Sequence, residues 1–213
     1  MLPFTSEVFF SHLEHYNRAV WPLPILAAAL GLAAIVLILR PLGGSSRAIG
    51  ALLATAWLWT GLGYHFVHLA AIDFVAPLYG AFFVLQGLLL AWTGAVRGGL
   101  VFRFRADLFG WSGLALALAA LIAWPLADWL TGHGWRGARL VGVAPGPTAA
   151  FTLGLLLLTE GRTPLRLAMI PLLWTLVAGA TGWILTNSRD LALPAAGLGA
   201  FCLMVWKNRQ GPS

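Results

Sequence analysis

Residues 75–96 read VAPLYGAFFVLQGLLLAWTGAV, a run of 22 residues without one charged side chain. About 20 predominantly apolar residues suffice to cross the roughly 30 Å hydrocarbon core of a bilayer as a helix. The rest of the 213-residue chain has the same character, because 60% of its residues are hydrophobic and 9% are charged. Soluble proteins contain roughly 25% charged residues. The composition therefore predicts an integral membrane protein.

Six further apolar runs accompany this one, and together they predict an all-α bundle of about seven transmembrane helices. We expect a single domain over residues 1–213, with a surface helix at 1–20, the bundle at 21–206 and a cytoplasmic tail at 207–213. The predicted transmembrane segments are 21–39, 49–72, 75–96, 108–130, 140–159, 167–185 and 191–206.

The N-terminal segment has the pattern of an amphipathic helix. Phe9, Leu13 and Tyr16 fall on one helical stripe, which predicts a helix lying on the membrane surface. Ser11 and Glu14 have the spacing of a capping box. No positively charged region precedes the first apolar run, so a cleavable signal peptide is not expected.

The basic residues predict the orientation, because short loops rich in Lys and Arg remain cytoplasmic. Of 13 basic residues, nine fall on one predicted face and four on the other. We expect the face with nine to be cytoplasmic, with the N-terminus outside, in a bacterial inner membrane. The arginines are scattered singly, which argues against nucleic-acid binding. The nine are Arg40, Arg47, Arg97, Arg103, Arg105, Arg162, Arg166, Lys207 and Arg209; the four are Arg18, Arg136, Arg139 and Arg189.

All five histidines fall on the predicted outer face, together with two carboxylates that are candidate ligands. Imidazole and carboxylate groups suit a transition metal, and two histidines from facing segments could hold a haem. The same residues are also compatible with a proton or solute site, or with interfacial histidines that bind nothing. The candidate site residues are His12, His15, His65, His68, His133, Asp73 and Asp128.

Two further features place polar groups inside the predicted bundle. Gln86 lies near the middle of segment 75–96, so it should face the interior, where it forms an interhelical hydrogen bond or lines a path. Pro145, Gly146 and Pro147 interrupt segment 140–159. That interruption predicts either a broken helix presenting Thr148 and free backbone amides to the histidines, or a loop followed by a short proline-initiated helix.

Several enzyme classes do not fit the residues. The single lysine, Lys207, lies in the predicted tail, which excludes a retinal Schiff base inside the last helix. Ser112, in a Gly-x-Ser-Gly motif, lies near the face opposite the histidines, which argues against an intramembrane serine protease. No histidine follows His133, so the spacing of a three-histidine membrane zinc hydrolase is missing, and the single Cys202 excludes an intramolecular disulfide.

These observations favour binding over catalysis. We expect an outward-facing site for a transition metal or haem, or an accessory subunit of a larger membrane complex. The alternative is a small-solute or ion transporter with Gln86 and the interrupted segment along its path. The expected partners are the lipid bilayer and either another membrane protein or a second copy of the chain.

Four stretches carry a resemblance to a known family. They are 16–22 (YNRAVWP), 57–65 (WLWTGLGYH), 80–87 (GAFFVLQG) and 142–154 (GVAPGPTAAFTLG). Through them the chain resembles, over nearly its whole length, a bacterial multi-pass membrane family catalogued as domain of unknown function 6064. That family usually has Pro-Cys-Pro-Thr in the last stretch, where this chain has Gly146, so thiol chemistry there would be absent. The resemblance implies a compact helical membrane domain and no established activity.

Overall fold

The computed structural model describes residues 4–130, 134, 136–185 and 188–210. Within these residues the chain forms helices and no β-strand. Short 3-10 turns lie at Leu69–Ala71 and Ser188–Leu191. We number the helices α1 (Ser6–Ala19), α2 (Leu23–Leu39), α3 (Ser45–Trp59, continued as a π-helix over Thr60–His68), α4 (Ala76–Val96), α5 (Leu108–Asp128), α6 (Pro145–Leu157), α7 (Leu165–Ile184) and α8 (Ala192–Gln210).

Each predicted apolar segment contains one helix, but fewer of these helices meet the requirements of a membrane span. Among the described residues, α4, α5 and α7 are long and apolar enough to cross a bilayer. Helices α1 and α2, bent by 85°, add a fourth span if they are counted together. The 17 residues of α2 and the 13 of α6 fall short of the roughly 20 that a straight crossing needs.

The helices from α2 to α8 run alternately between two ends of the bundle. One end, which we call the basic end, brings the segment between α4 and α5 against the turn after α6, where Phe102 pairs with Thr159. The nine basic residues of the predicted cytoplasmic face all lie in or beside segments of this end. The opposite end, which we call the histidine end, carries α1. There the Tyr16 hydroxyl donates to the Val143 carbonyl at 3.2 Å.

Helix α6 forms the centre of the core. Every residue of α6 except Gly146 is buried. Helix α5 approaches it closely at Gly113 and Gly154, where a Cβ on Gly113 would lie 2.7 Å from the Gly154 carbonyl oxygen. Small residues allow such close helix packing in membranes. Because protein surrounds α6, the irregular backbone preceding it need not face lipid.

The ends of α1 and α8 differ from the sequence predictions. The side chain of Thr5 accepts a hydrogen bond from the Val8 amide, so α1 begins there, and Ser11 and Glu14 lie inside the helix instead of capping it. The turn preceding Ser11 is already helical, and its amides therefore have backbone partners. Helix α8 continues past residue 206 to Gln210, so the first residues of the predicted tail are helical.

Candidate binding site at the histidine end

A buried ion cluster ties three segments together at the histidine end. The backbone amide and Nε of Arg139 donate to Asp128 Oδ2 at 3.0 and 2.9 Å, and Arg139 Nη2 donates to Asp128 Oδ1 at 2.8 Å. Arg139 Nη1 donates to both carboxylate oxygens of Asp190 at 2.7 Å. Asp128 is wholly buried, and Arg139 and Asp190 are each 6% exposed. Charges can be buried in this way because each is paired and hydrogen-bonded.

The three partners come from separate parts of the chain. Asp128 is the last residue of α5, Arg139 lies in the irregular segment before α6, and Asp190 lies in the 3-10 turn before α8. Burial opposes the charge on Arg139, but the hydrogen bonds from its guanidinium and the negative charges of Asp128 and Asp190 raise its pKa above the ordinary value. The guanidinium therefore remains charged.

Aromatic rings enclose His65 beside this cluster. His65 is wholly buried, and its ring lies 4.7 Å from Phe83, 5.1 Å from Tyr64 and 5.1 Å from Trp174, measured between centroids. Among the described residues, three ring nitrogens have no hydrogen-bond partner. They are both nitrogens of His65 and the indole nitrogen of Trp174. A buried polar group left in this state costs about 1–3 kcal/mol.

A pocket of about 80 Å³ lies between the aromatic rings and the ion cluster. Its charged lining residues are Arg139, Asp190 and Asp73, that is, two carboxylates and one guanidinium. Asp73 is 6% exposed, and its Oδ1 accepts a hydrogen bond from the Val75 amide at 2.9 Å. The pocket thus combines an excess of one negative charge with an apolar wall that includes five aromatic side chains. The aromatic lining residues are Phe4, Phe9, Tyr64, Tyr79 and Trp174.

Two of the other histidines flank a pair of tyrosines. Tyr16 and Tyr64 lie 5.1 Å apart, His68 lies 4.8 Å from Tyr16, and His12 lies 6.3 Å from Tyr64, all between ring centroids. Burial, and then the neighbouring His68 and His15, lower the pKa of His12 on the surface helix. His15 itself is exposed and bonded through Nδ1 to the Ser11 carbonyl at 2.8 Å.

Residues 6–212 match the family of unknown function DUF6064. The chain belongs to DUF6064. No curated protein and no solved structure matches it.

The stretches that carried the family resemblance form one packed unit in this DUF6064 protein. The Trp57 indole of α3 donates to Thr152 Oγ1 of α6 at 2.8 Å, which joins the second stretch to the fourth. The Trp59 indole donates to the Tyr16 hydroxyl at 2.9 Å, and that hydroxyl donates to Val143. The first, second and fourth stretches therefore meet at the histidine end.

The metal centre predicted from the histidines is not assembled among the described residues, which contain no group of three His, Cys, Asp or Glu side chains able to hold an ion. Asp128 is occupied by Arg139, and His65 lies inside aromatic rings. His65 and His68 diverge because the chain is π-helical there, and a wider helix does not keep residues three apart on one face. The candidate His133 lies outside the described residues.

The interhelical hydrogen bond predicted for Gln86 is present. Gln86 is wholly buried, and its Nε2 donates to the Leu167 carbonyl of α7 at 2.8 Å. Pro171 lies inside α7 four residues after Leu167, so it has no amide hydrogen to offer this carbonyl. The amide of Gln86 therefore replaces the hydrogen bond that the proline removes.

Of the two interpretations of the interrupted segment, the structure has the loop followed by a short helix. Pro145 begins α6, and the residues before it are not helical. Thr148 is wholly buried, donates to the Ala144 carbonyl at 2.6 Å and accepts from the Gly142 amide at 2.8 Å. Its hydroxyl thus joins the loop to the first turn of α6 by hydrogen bonds and does not face the histidines.

The candidate site predicted from the sequence lacks five residues that line the pocket. These are Arg139 and Asp190 of the ion cluster, and Tyr64, Tyr79 and Trp174 of the wall. One signal was available, because all three tyrosines of the chain, Tyr16 included, lie at the histidine end. A second was the position of Arg139 directly before an apolar segment, where a charge requires a partner.

Proposed function

We propose that this DUF6064 protein is an integral membrane protein that binds a small organic cation in the pocket at its histidine end. The observation that carries the proposal is the lining of the pocket, which sets two carboxylates against one guanidinium inside an apolar wall that includes five aromatic side chains. Ammonium groups are recognised by aromatic faces and carboxylates together. Ligand pockets commonly combine an apolar wall with a few placed polar groups in this way.

The state of Arg139 favours a cation over an anion. Each of its three guanidinium nitrogens donates to a carboxylate of Asp128 or Asp190. An anion bound at this guanidinium would also lie against the carboxylates of Asp128 and Asp190, and these like charges would repel it. Asp73 adds a second carboxylate to the lining, and a ligand with an ammonium group would complement it.

Choline and its uncharged isostere 3,3-dimethylbutanol provide a direct test. Both are titrated into the purified protein in neutral detergent by calorimetry and by quenching of tryptophan fluorescence. We expect saturable binding of choline and at least tenfold weaker binding of the isostere, which corresponds to about 1.4 kcal/mol. Equal binding of the two compounds would contradict the proposal, because the charge would then not be recognised.

Two variants locate the binding within the molecule. Asp73→Asn removes a carboxylate from the pocket, and we expect it to weaken choline binding about tenfold. Glu7→Gln makes the same charge change on the exposed face of α1 and should leave binding unchanged. Loss of binding in both variants, or in neither, would place the ligand elsewhere.

A transition metal or haem is the second candidate, and the nearness of His12 and His68 around the tyrosine pair is the observation that favours it. Metal analysis and the visible spectrum of the purified protein test this candidate. A stoichiometric metal or a Soret band would replace the organic cation with this ligand.

The structure offers less support for transport. The transport alternative places Gln86 along the path of the solute. Gln86 lines neither the pocket at the histidine end nor the cavity at the basic end, and its side-chain amide donates to a carbonyl of α7. We therefore propose binding without translocation. Uptake of labelled choline into proteoliposomes would contradict this part of the proposal.

We also propose that all seven helices from α2 to α8 cross a bacterial inner membrane, with the basic end in the cytoplasm. The concentration of basic residues at one end supports this orientation. An exposed apolar stripe on α4, formed by Leu78, Phe82, Leu85, Leu88 and Trp92, supports contact with lipid. Helix α6 is short, but protein encloses it on all sides.

Labelling of single cysteines tests the orientation. After Cys202→Ser, a cysteine is introduced either at Ser11 of α1 or at Gly43 of the basic end, both of which are exposed. A membrane-impermeant maleimide added to intact spheroplasts should label the cysteine at position 11 and not the one at position 43. The opposite pattern would reverse the proposed orientation.

A further inference from the structure

The basic end contains a second cavity, of about 330 Å³, which the proposed function does not use. It lies between the start of α5, the turn after α6 and the end of α8. Its charged lining residues are Arg103, Arg105, Lys207, Asp107 and Glu160, which gives three cations against two carboxylates. This cavity is therefore polar and carries an excess positive charge.

Lys207 is the central cation of this cavity. Its ammonium group donates to the Leu157 carbonyl at 2.9 Å and also to the Thr159 carbonyl. No carboxylate of the described residues lies within ion-pair distance of it. An ammonium group has three donors, so one of them is left for a ligand in the cavity. Lysine binds phosphate groups as such a point charge.

The two carboxylates are already engaged. Asp107 Oδ1 accepts a hydrogen bond from the Gly110 amide at 2.7 Å and so caps α5. Glu160 Oε1 accepts from Arg103 Nη1 at 3.1 Å. These contacts hold the carboxylates at the ends of their segments, and neither contact involves the Lys207 ammonium group.

The surroundings of the cavity place it at the level of lipid headgroups. Trp111 of α5 and Trp206 of α8 are 59% and 49% exposed beside the lining residues Gly110 and Lys207. Tryptophan is enriched where the hydrocarbon core meets the headgroups. Basic pockets between helices at this depth suit the phosphates of anionic lipids.

From these contacts we infer that the cavity at the basic end binds the phosphate group of an anionic lipid, with Lys207 as the cation that donates to it and Arg105 as a further positive charge in the lining. The lipid phosphate would accept the third hydrogen bond of Lys207, and the acyl chains would lie along the exposed apolar surface beside Trp111 and Trp206. This site is independent of the organic-cation pocket at the opposite end.

Native mass spectrometry and thermal denaturation of the full-length protein in neutral detergent test the inference. Phosphatidylglycerol should bind and raise the melting temperature, whereas phosphatidylcholine should bind at least tenfold more weakly. Lys207→Gln should weaken binding of phosphatidylglycerol about tenfold, the change expected for loss of a charged hydrogen bond. Arg209→Gln is the matched control, because it removes one charge from an exposed position on the same helix.

Three results would overturn the inference. Equal binding of phosphatidylglycerol by Lys207→Gln and wild type would show that the cavity is not its site. Displacement of the lipid by an equal concentration of inorganic phosphate would show that the ligand is a free phosphate. If Lys207→Gln does not fold, Arg105→Gln in the exposed segment before α5 carries the same test, and unchanged binding there overturns the inference as well.

Discussion

Arg139 Nη1 donates to both carboxylate oxygens of Asp190 at 2.7 Å, and this contact joins the segment before α6 to the turn before α8. The same guanidinium also holds Asp128 at the end of α5. Three helices are thus fixed at the histidine end by one buried cation. The positions of the pocket residues depend on this arrangement.

Removal of this cation should strongly destabilise the protein. Arg139→Met leaves two carboxylates buried without their partner, and we expect a loss of about 3–5 kcal/mol in the free energy of unfolding. Denaturant titration in detergent micelles measures it. The control is Arg18→Met, which removes an exposed pair with Glu14 at 3.9 Å and should cost less than about 1 kcal/mol. Equal losses in the two variants would show that the cluster contributes no special stability.

The hydrogen bond of Gln86 should be coupled to Pro171. Gln86→Leu leaves the Leu167 carbonyl without its donor, which should cost about 1 kcal/mol. In Pro171→Ala the helix regains a backbone amide that can bond this carbonyl. In the Pro171→Ala background, Gln86→Leu should therefore lower the free energy of unfolding by less than it does in the wild-type protein. Additive effects in this double-mutant cycle would refute the proposed replacement of one hydrogen bond by the other.

Close packing of α5 on α6 should depend on Gly113. In Gly113→Ala the new Cβ would lie 2.7 Å from the Gly154 carbonyl oxygen, a backbone atom that cannot rotate away. We expect a loss of about 1–3 kcal/mol in stability. Gly199→Ala on α8 is the matched control, because its Cβ would have no neighbour within 4 Å. A similar loss in both variants would mean that helix propensity, and not packing, is measured.

The docking of α1 should weaken in acid. Burial and the neighbouring histidines lower the pKa of His12 below its ordinary 6.5, so the unfolded chain takes up a proton at a higher pH than the folded protein does. The free energy of unfolding should therefore fall as the pH drops below about 6.5. His12→Phe should reduce this slope, whereas His15→Phe should reduce it less, because His15 is the smallest of the three causes that lower the pKa of His12. An unchanged slope in His12→Phe would remove His12 as a cause.

The positions of the helices were largely readable from the sequence, and their roles were not. Apolar runs marked every helix from α2 to α8, and the stripe of Leu13 and Tyr16 marked α1. The sequence predicts an interrupted span over 140–159, and the helix in this segment is short and almost wholly buried. Hydropathy reports how apolar a segment is, and it does not tell whether lipid or protein surrounds it.

The candidate site shows the same division. The sequence placed the histidines together with Asp73 and Asp128 at one end, and this grouping needed only the alternation of helices. It grouped His65 with His68 because an α-helix brings residues three apart to one face, and the π-helical turn separates them. It selected Asp128 as a ligand and could not see that Arg139, eleven positions later, would occupy it.

Amino-acid composition and the spacing of apolar runs by themselves determined a chain of apolar helices, several of them long enough to cross a membrane, with nine of its 13 basic residues at one end. These properties follow from the transfer of side chains and backbone into lipid, which is local along the chain. Tertiary structure alone decided which charges pair, which rings enclose His65 and where the two polar cavities lie. Those outcomes depend on side chains from distant segments meeting in a water-poor interior, where each polar group must find a partner.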